Sequence, residues 1–152
     1  MPAAQRSPAR REVSAGGVVF RRTAAGLEVL LIKAAGRWSF PKGTIERDES
    51  PAVTALREIA EETGLPQEFL RVVGQLPDVD YAFRWGRGLI FKRVHYFLVE
   101  LTGRAVLRPQ PSEIEETRWF STAAAAETIS FKNARETLQA AIAQLAAQPV
   151  AS

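Results

Sequence analysis

The chain has 152 residues, 46% apolar and 24% charged, with a net charge of +3, which describes a single globular domain with a core of two or three layers. It has no cysteine, so disulfides, thiolate metal sites and cysteine nucleophiles are excluded together. No apolar run approaches the length of a bilayer span, and the small charge makes no case for nucleic acid, so a cytoplasmic protein with neither kind of partner is expected.

Residues 1–11 are rich in Pro, Ala and Arg and lack the apolar stretch of a secretory signal; they are expected to form a disordered lead before a domain over residues 12–148. Residues 12–20 read as a strand, in which Gly16 and Gly17 admit close approach of another group to the backbone. A turn at 23–26 leads to an apolar strand over 27–33, then a loop over 34–48 carrying Trp38, Pro41, Lys42 and Gly43. A helix is predicted over 51–63: Ser50 suits the N-cap, Pro51 the first helical position, Gly64 the left-handed position past the end, and Pro66 cannot continue it. Strands follow over 70–76, 81–85 and 90–101, the last two forming a hairpin around Gly86 and Gly88, with a short strand over 117–120. Ser121 caps an Ala-rich helix, and a last helix over 133–147 places Ala134, Leu138, Ala141, Ile142 and Leu145 at helical spacing. This order predicts an α/β fold, a mixed sheet with helices on its faces.

The predicted helix over 51–63 carries the chemistry. Glu58, Glu61 and Glu62 fall within an arc of about 100°, and Val53, Leu56, Ile59, Ala60 and Thr63 are expected on the opposite, core-facing side. Carboxylates so close repel one another, and hard divalent cations such as Mg²⁺ or Mn²⁺ take oxygen ligands of this kind. The competing reading is a solvated helix face in which Arg57 and Glu61 form an ordinary i,i+4 ion pair.

The flanking residues separate these readings. Gly43, Glu49, Arg57, Glu58, Ile59, Glu61, Glu62, Gly64 and Leu65 fill every specified place of a pattern that resembles the Nudix box, G-x5-E-x7-R-E-U-x-E-E-x-G-U, where U is a bulky aliphatic residue. The similarity extends to AGGVVF at 15–20, WSFPKG at 38–43, VHYFL at 94–98 and RWF at 118–120. The resemblance implies a Nudix α/β/α sandwich, a mixed β-sheet flanked by helices, that hydrolyses a diphosphate linkage with Mg²⁺ or Mn²⁺. It further implies Glu58 and Glu62 as the main metal ligands and Glu61 as a further ligand or the general base. Arg57 would hold a carboxylate in place, with Gly43, Glu49 and Gly64 shaping the box. Glu113 stands where some relatives place an extra ligand or base, although in the run Glu113, Glu115, Glu116 it is expected to be a surface acid.

Three features bear on substrate. Tyr81 stands where diadenosine polyphosphate hydrolases of this family carry a base-stacking tyrosine. Arg84, Arg87, Lys92 and Arg93 lie in the hairpin and form a candidate cradle for a polyphosphate, against the alternative of a solvated strand face. Lys42, in a loop similar to the W-x-x-P-K-G of enzymes acting on dinucleoside polyphosphates, would face phosphate. His95 is expected to be a packed or hydrogen-bonded strand residue, and Pro77 falls too early for the proline that marks ADP-ribose hydrolases. The resemblance therefore points to asymmetric cleavage of diadenosine polyphosphates, a small-molecule nucleotide substrate, by a monomer or homodimer. The alternatives are a MutT-like nucleotide pyrophosphohydrolase or other nucleoside diphosphate hydrolase, an RNA 5′-end pyrophosphohydrolase, which would need a broader basic surface, and a binding module. A binding module typically loses box carboxylates, and all are kept here.

Overall fold

The computed structural model describes residues 9–148. Its sheet is built on two long strands, β1 (Arg10–Thr23) and β7 (Gly88–Leu101), which run parallel with Arg10 opposite Ile90 and Phe20 opposite Glu100. Every other pairing is antiparallel. The second edge of β1 is shared: β2 (Gly26–Ala34) takes its C-terminal end and β4 (Lys42–Thr44) takes Ser14–Gly16. Between them the Gly17 N–H donates to the Pro41 carbonyl at 3.2 Å, so the loop before β4 is stitched to the middle of β1. β3 (Arg37–Ser39) and β8 (Glu116–Ser121) extend the sheet from β2, while β5 (Leu70–Gln75) and β6 (Val79–Trp85) both pair with β7.

Strand alternation divides the core into two layers. On one face Ala15, Val19, Leu30, Phe97 and Val99 pack against Ala55 and Ile59 of α1 (Pro51–Thr63). On the other, Val18, Phe20, Val29, Leu31, Tyr96 and Leu98 pack against Leu138, Ala141 and Leu145 of α3 (Lys132–Ala147), with Ala125 of α2 (Thr122–Thr128) in the same layer. Ile59 is fully buried, which contributes about 1.5–3 kcal/mol, and its Cδ1 lies 2.8 Å from where a Cβ on Gly17 would stand. The glycine thus lets α1 settle onto β1. The expected α/β/α sandwich is present, and no helix among the described residues is long and apolar enough to cross a membrane.

The sequence expectation differs from the structure in several places, among them the end of β1, which runs on to Thr23, and the starts of β6 and β7, each two residues earlier than expected. Of the lead over 1–11, residues 1–8 lie outside the described residues, and Arg10 and Arg11 are already strand, paired with Ile90 and Phe91. The loop over 34–48 contains two short strands, which pair with β2 and β1 although their own residues have little strand pattern. α3 and β8 each begin one residue earlier than expected. Within α1, Val53 is 52% exposed while the buried side chains are Thr54, Ala55, Ile59, Glu62 and Thr63. The inward face is therefore rotated toward Glu62 relative to the expected one.

Candidate active site

The cap signals place α1 as expected. Ser50 Oγ accepts from the Val53 N–H at 3.2 Å, Pro51 opens the helix, and Gly64 ends it at φ 79°, its N–H donating to the Ala60 carbonyl at 2.9 Å. A side chain on Gly64 would also collide with the backbone of Arg108, whose N–H donates to the Thr63 carbonyl at 2.7 Å. This fixes where the glutamates stand relative to the sheet.

Arg57 is the hub of the cluster. Its Nε and Nη2 donate to the two oxygens of Glu49 at 2.7 and 2.9 Å, a bidentate pair, while Nη1 donates to Glu58 at 2.8 Å and reaches Glu61 at 3.3 Å. Glu49 Oε1 also accepts from the Glu46 N–H at 3.0 Å and from the Thr54 hydroxyl at 2.8 Å. The Arg57 hydrogen bond foremost, with these further donors, holds the Glu49 carboxyl down at about 2. Glu49 is a satisfied anion that anchors the loop before α1 and orients Arg57.

Glu62 is the opposite case. It is 6% exposed, and its Oε2 is buried with no hydrogen-bond partner. Burial above all, then the nearby Glu58 charge, raises its pKa to about 8, with Glu113 adding to the repulsion; the Lys42 backbone N–H and ammonium pull the other way. Glu58 is also raised, chiefly by burial, against the opposing influence of Arg57. Its carboxylate lies directly over Gly43, where a Cβ would overlap it, so only glycine leaves room.

Glu113 is exposed at the surface, as expected, and its charge adds to the raising of both Glu58 and Glu62. Glu61, with its side chain 49% exposed, is the outermost of the helix carboxylates. Among the described residues these acids are not gathered around one point, because Glu58 and Glu61 turn toward Arg57 while Glu62 lies inward. The donor set nevertheless fits a hard divalent cation. It consists of carboxylate oxygens, one of them buried and unpartnered, with two of the pKa values raised first by burial and further by neighbouring acids.

On the other side of β1, Lys42 Nζ donates to Tyr81 Oη at 2.9 Å and lies 5.3 Å from that ring's centroid. Burial lowers the Lys42 pKa, with Glu62 opposing, and burial raises that of Tyr81. Two residues singled out from the sequence for substrate contact thus touch each other, and Lys42 stands next to Glu62 through its backbone N–H. They also line a cavity of about 300 Å³ walled by Phe83, Tyr96, Phe131 and Asn133. The sequence reading missed these four, though the alternation of Val79, Tyr81 and Phe83 along β6 signals a shared face.

The proposed basic cradle does not assemble on one surface. The register of β6 on β7 sets Tyr81 opposite Lys92, but Asp80 opposite Arg93 and Arg84 opposite Leu89. Lys92 therefore shares the Tyr81 face, whereas Arg84 and Arg93 lie on the reverse. Arg93 is further engaged by Asp80, which accepts from its Nε and Nη2 at 2.8 and 3.1 Å. His95 is hydrogen-bonded through Nδ1 to Asp78 at 2.8 Å, in line with a strand residue held by a partner.

A sequence profile of the NUDIX domain matches residues 10–141. The chain is 34% identical over 116 residues to the putative mutator protein MutT4 of Mycobacterium tuberculosis, covering 71% of this chain and 45% of that protein. It is 31% identical over 134 residues to the asymmetrical bis(5′-nucleosyl)-tetraphosphatase of Mus musculus, covering 82% and 88%. Among solved structures, the Caenorhabditis elegans Ap4A hydrolase binary complex superposes with a TM-score of 0.75 at 23% identity, covering 90% of this chain and 99% of that one.

Proposed function

The chain belongs to the NUDIX family, and we propose that it hydrolyses a phosphoanhydride bond of a dinucleoside polyphosphate, cleaved asymmetrically. The observation that carries this reading is the aromatic cavity that meets the glutamate cluster at Lys42. It offers a nucleoside a walled site beside the place where phosphate is cut. The similarity to the mouse tetraphosphatase over most of both chains supports the same substrate class.

In this reading Glu58 and Glu62 would hold Mg²⁺ or Mn²⁺, with Glu61 and Glu113 as further acids of the set. The cation neutralises phosphate charge and lowers the pKa of water. Arg57 keeps Glu58 and Glu61 aimed, itself steadied by Glu49. A carboxylate not taken up by the cation accepts the proton of the attacking water; Glu61, the most exposed of the helix set, is best placed for this. Lys42 exchanges Tyr81 for a phosphate oxygen, and the freed Tyr81 ring lies against the nucleoside. Lys92, on the same strand face as Tyr81, supplies charge further along the polyphosphate. Arg84 and Arg93 have no part in it.

A screen of diadenosine tetraphosphate, nucleotide sugars, ADP-ribose, oxidised dGTP and other dNTPs with Mg²⁺, scored by product identity, tests the reading. ATP and AMP from diadenosine tetraphosphate at the highest kcat/KM is the expected result. The similarity to MutT4 favours a second reading, a nucleoside triphosphate pyrophosphohydrolase, and faster release of pyrophosphate from dNTPs would establish it instead.

A further inference from the structure

The rim of the sheet beside the β6–β7 hairpin is bare. β7 is paired along one edge with β1 and along the other with β5 and β6, so β6 lies outermost. Among the described residues β6 (Val79–Trp85) has no strand partner but β7. Alternate N–H and C=O groups along it therefore point outward with no strand to receive them, a template for one more strand. Trp85, at its end, is 69% exposed. Arg84 is exposed with no carboxylate partner among the described residues, unlike Arg93, which has Asp80.

Exposed edges are commonly blunted by charge, and β6 carries Asp80 and Arg84. Their placement suits one partner, a second copy of the same strand. Ala82 is the midpoint of β6. A second β6 laid antiparallel along the edge, with a two-fold axis at Ala82, overlaps the whole strand. It sets Val79 opposite Trp85, Asp80 opposite Arg84 and Tyr81 opposite Phe83 of the other copy, each pair occurring twice. Opposed residues in an antiparallel ladder share a face, so the ion pairs fall on one face and the apolar pairs on the other. Asp80 already accepts from Arg93 of its own chain at 2.8 and 3.1 Å, and its remaining lone pairs can take a second guanidinium. Sliding the copies by two residues sets Asp80 opposite Ala82 or Gly86 instead and leaves one end of each strand overhanging. The edge is thus self-complementary in one register, as a two-fold interface requires.

We propose that the outer edge of β6 is a homodimer interface, at which a second copy of this chain adds its own β6 across a two-fold axis at Ala82 and continues the sheet from one subunit into the other. Trp85 is then covered by the second copy's Val79. The second copy's Phe83 stands opposite Tyr81, on the strand face that walls the cavity at Lys42. The inference is independent of which nucleotide is cleaved. A single short strand on each side makes a small interface, so the dimer should dissociate at about micromolar concentration.

Light scattering or sedimentation of the full chain over a concentration series tests this. Wild type should pass from the mass of one chain to that of two. Arg84→Glu and Asp80→Lys should each remain monomeric, because each sets like charges opposite one another across the axis. An equimolar mixture of the two should recover the dimer, since one copy then supplies both acids and the other both bases; a misfolded variant could not produce that recovery. The register has its own probe. The chain has no cysteine, so Ala82→Cys places a single thiol on the axis, where opposed Cα atoms stand about 4.5–5.5 Å apart, within disulfide reach. Mild oxidation should link it into a covalent dimer about tenfold faster than Val106→Cys, whose site on the loop after β7 is 74% exposed. A wild type still monomeric at about 0.5 mM, far above the expected range, would overturn the proposal. So would a dimer that both charge reversals leave intact, two folded variants that fail to associate on mixing, or equal cross-linking of the two thiols. If either charge variant proves unfolded by circular dichroism, the thiol comparison decides.

Discussion

Glu49 and Glu62 belong to one cluster, stand at opposite ends of it, and have opposite proton chemistry. Glu49 accepts a bidentate pair from Arg57, a hydroxyl and a backbone N–H, and is held at about 2. Glu62 is buried with an unpartnered oxygen and is pushed up to about 8. The difference lies in which donors surround each carboxylate. Glu49 already has its cation in Arg57, so its work is to hold the loop and the guanidinium. Glu62 lacks one, and a buried unpaired carboxylate is costly enough that the metal-free protein keeps it protonated near neutral pH. The cluster therefore divides into a satisfied half that fixes geometry and an unsatisfied half poised for a divalent cation.

The sharpest way to break this comparison is to neutralise each half in turn. Glu62→Gln keeps shape and burial but removes the charge, so turnover with Mg²⁺ should fall by more than about a hundredfold. The metal-free Tm should hold near neutral pH, where Glu62 is already protonated, and rise relative to wild type above about pH 8, where the wild type must bury an unpaired anion. Initial rates and thermal melts without metal check both parts, and wild-type turnover would refute the metal assignment. Glu49→Gln should show the reverse balance. Losing one side of the bidentate pair loosens Arg57 and the loop, lowering Tm, while activity falls by about 10–100-fold, as when a partner that orients ligands is removed. If Glu49→Gln left the Tm unchanged, the division of labour drawn above would be wrong.

How much of this was legible beforehand follows the same division. The cap residues Ser50, Pro51 and Gly64 set the bounds of α1 because capping is local chemistry. The fold class was also legible, since strand alternation and helical spacing are local patterns. The inward rotation of Glu62 was not. About 100° per residue puts Glu62 only about 20° from Ala55 around the helix axis, yet which arc faces the sheet depends on how α1 docks on β1. Gly17 and Ile59 decide that docking across 42 positions of sequence. The split of Arg84 and Lys92 between faces likewise required the β6–β7 register, which composition alone does not reveal. Glu113 is the surface acid its run suggests, and only its influence on Glu58 and Glu62, which is purely tertiary, was hidden in the sequence.

The smallest expected effect is also the most direct measure of the unsatisfied half. Because the folded pKa of Glu62 lies near 8, above its ordinary value of 4.5, the folded metal-free protein binds more protons than the unfolded chain between those limits. Its contribution to stability is therefore fully present below about pH 4.5 and is lost as pH rises through about 8. A cation bound at this carboxylate must displace the proton, so apparent Mg²⁺ affinity should weaken by up to tenfold for each pH unit below about 8. The Tm gained on adding a fixed Mg²⁺ concentration should then grow from pH 6 to pH 8.5, by an amount corresponding to ~2–3 kcal/mol of linkage at most. In Glu62→Gln this growth should vanish, while in Glu49→Gln it should persist, since a group held near 2 does not titrate in that range. A Mg²⁺-dependent rise in Tm that is flat with pH in wild type would mean that Glu62 is already ionised before the cation arrives. The contrast between the two glutamates would then reduce to position alone.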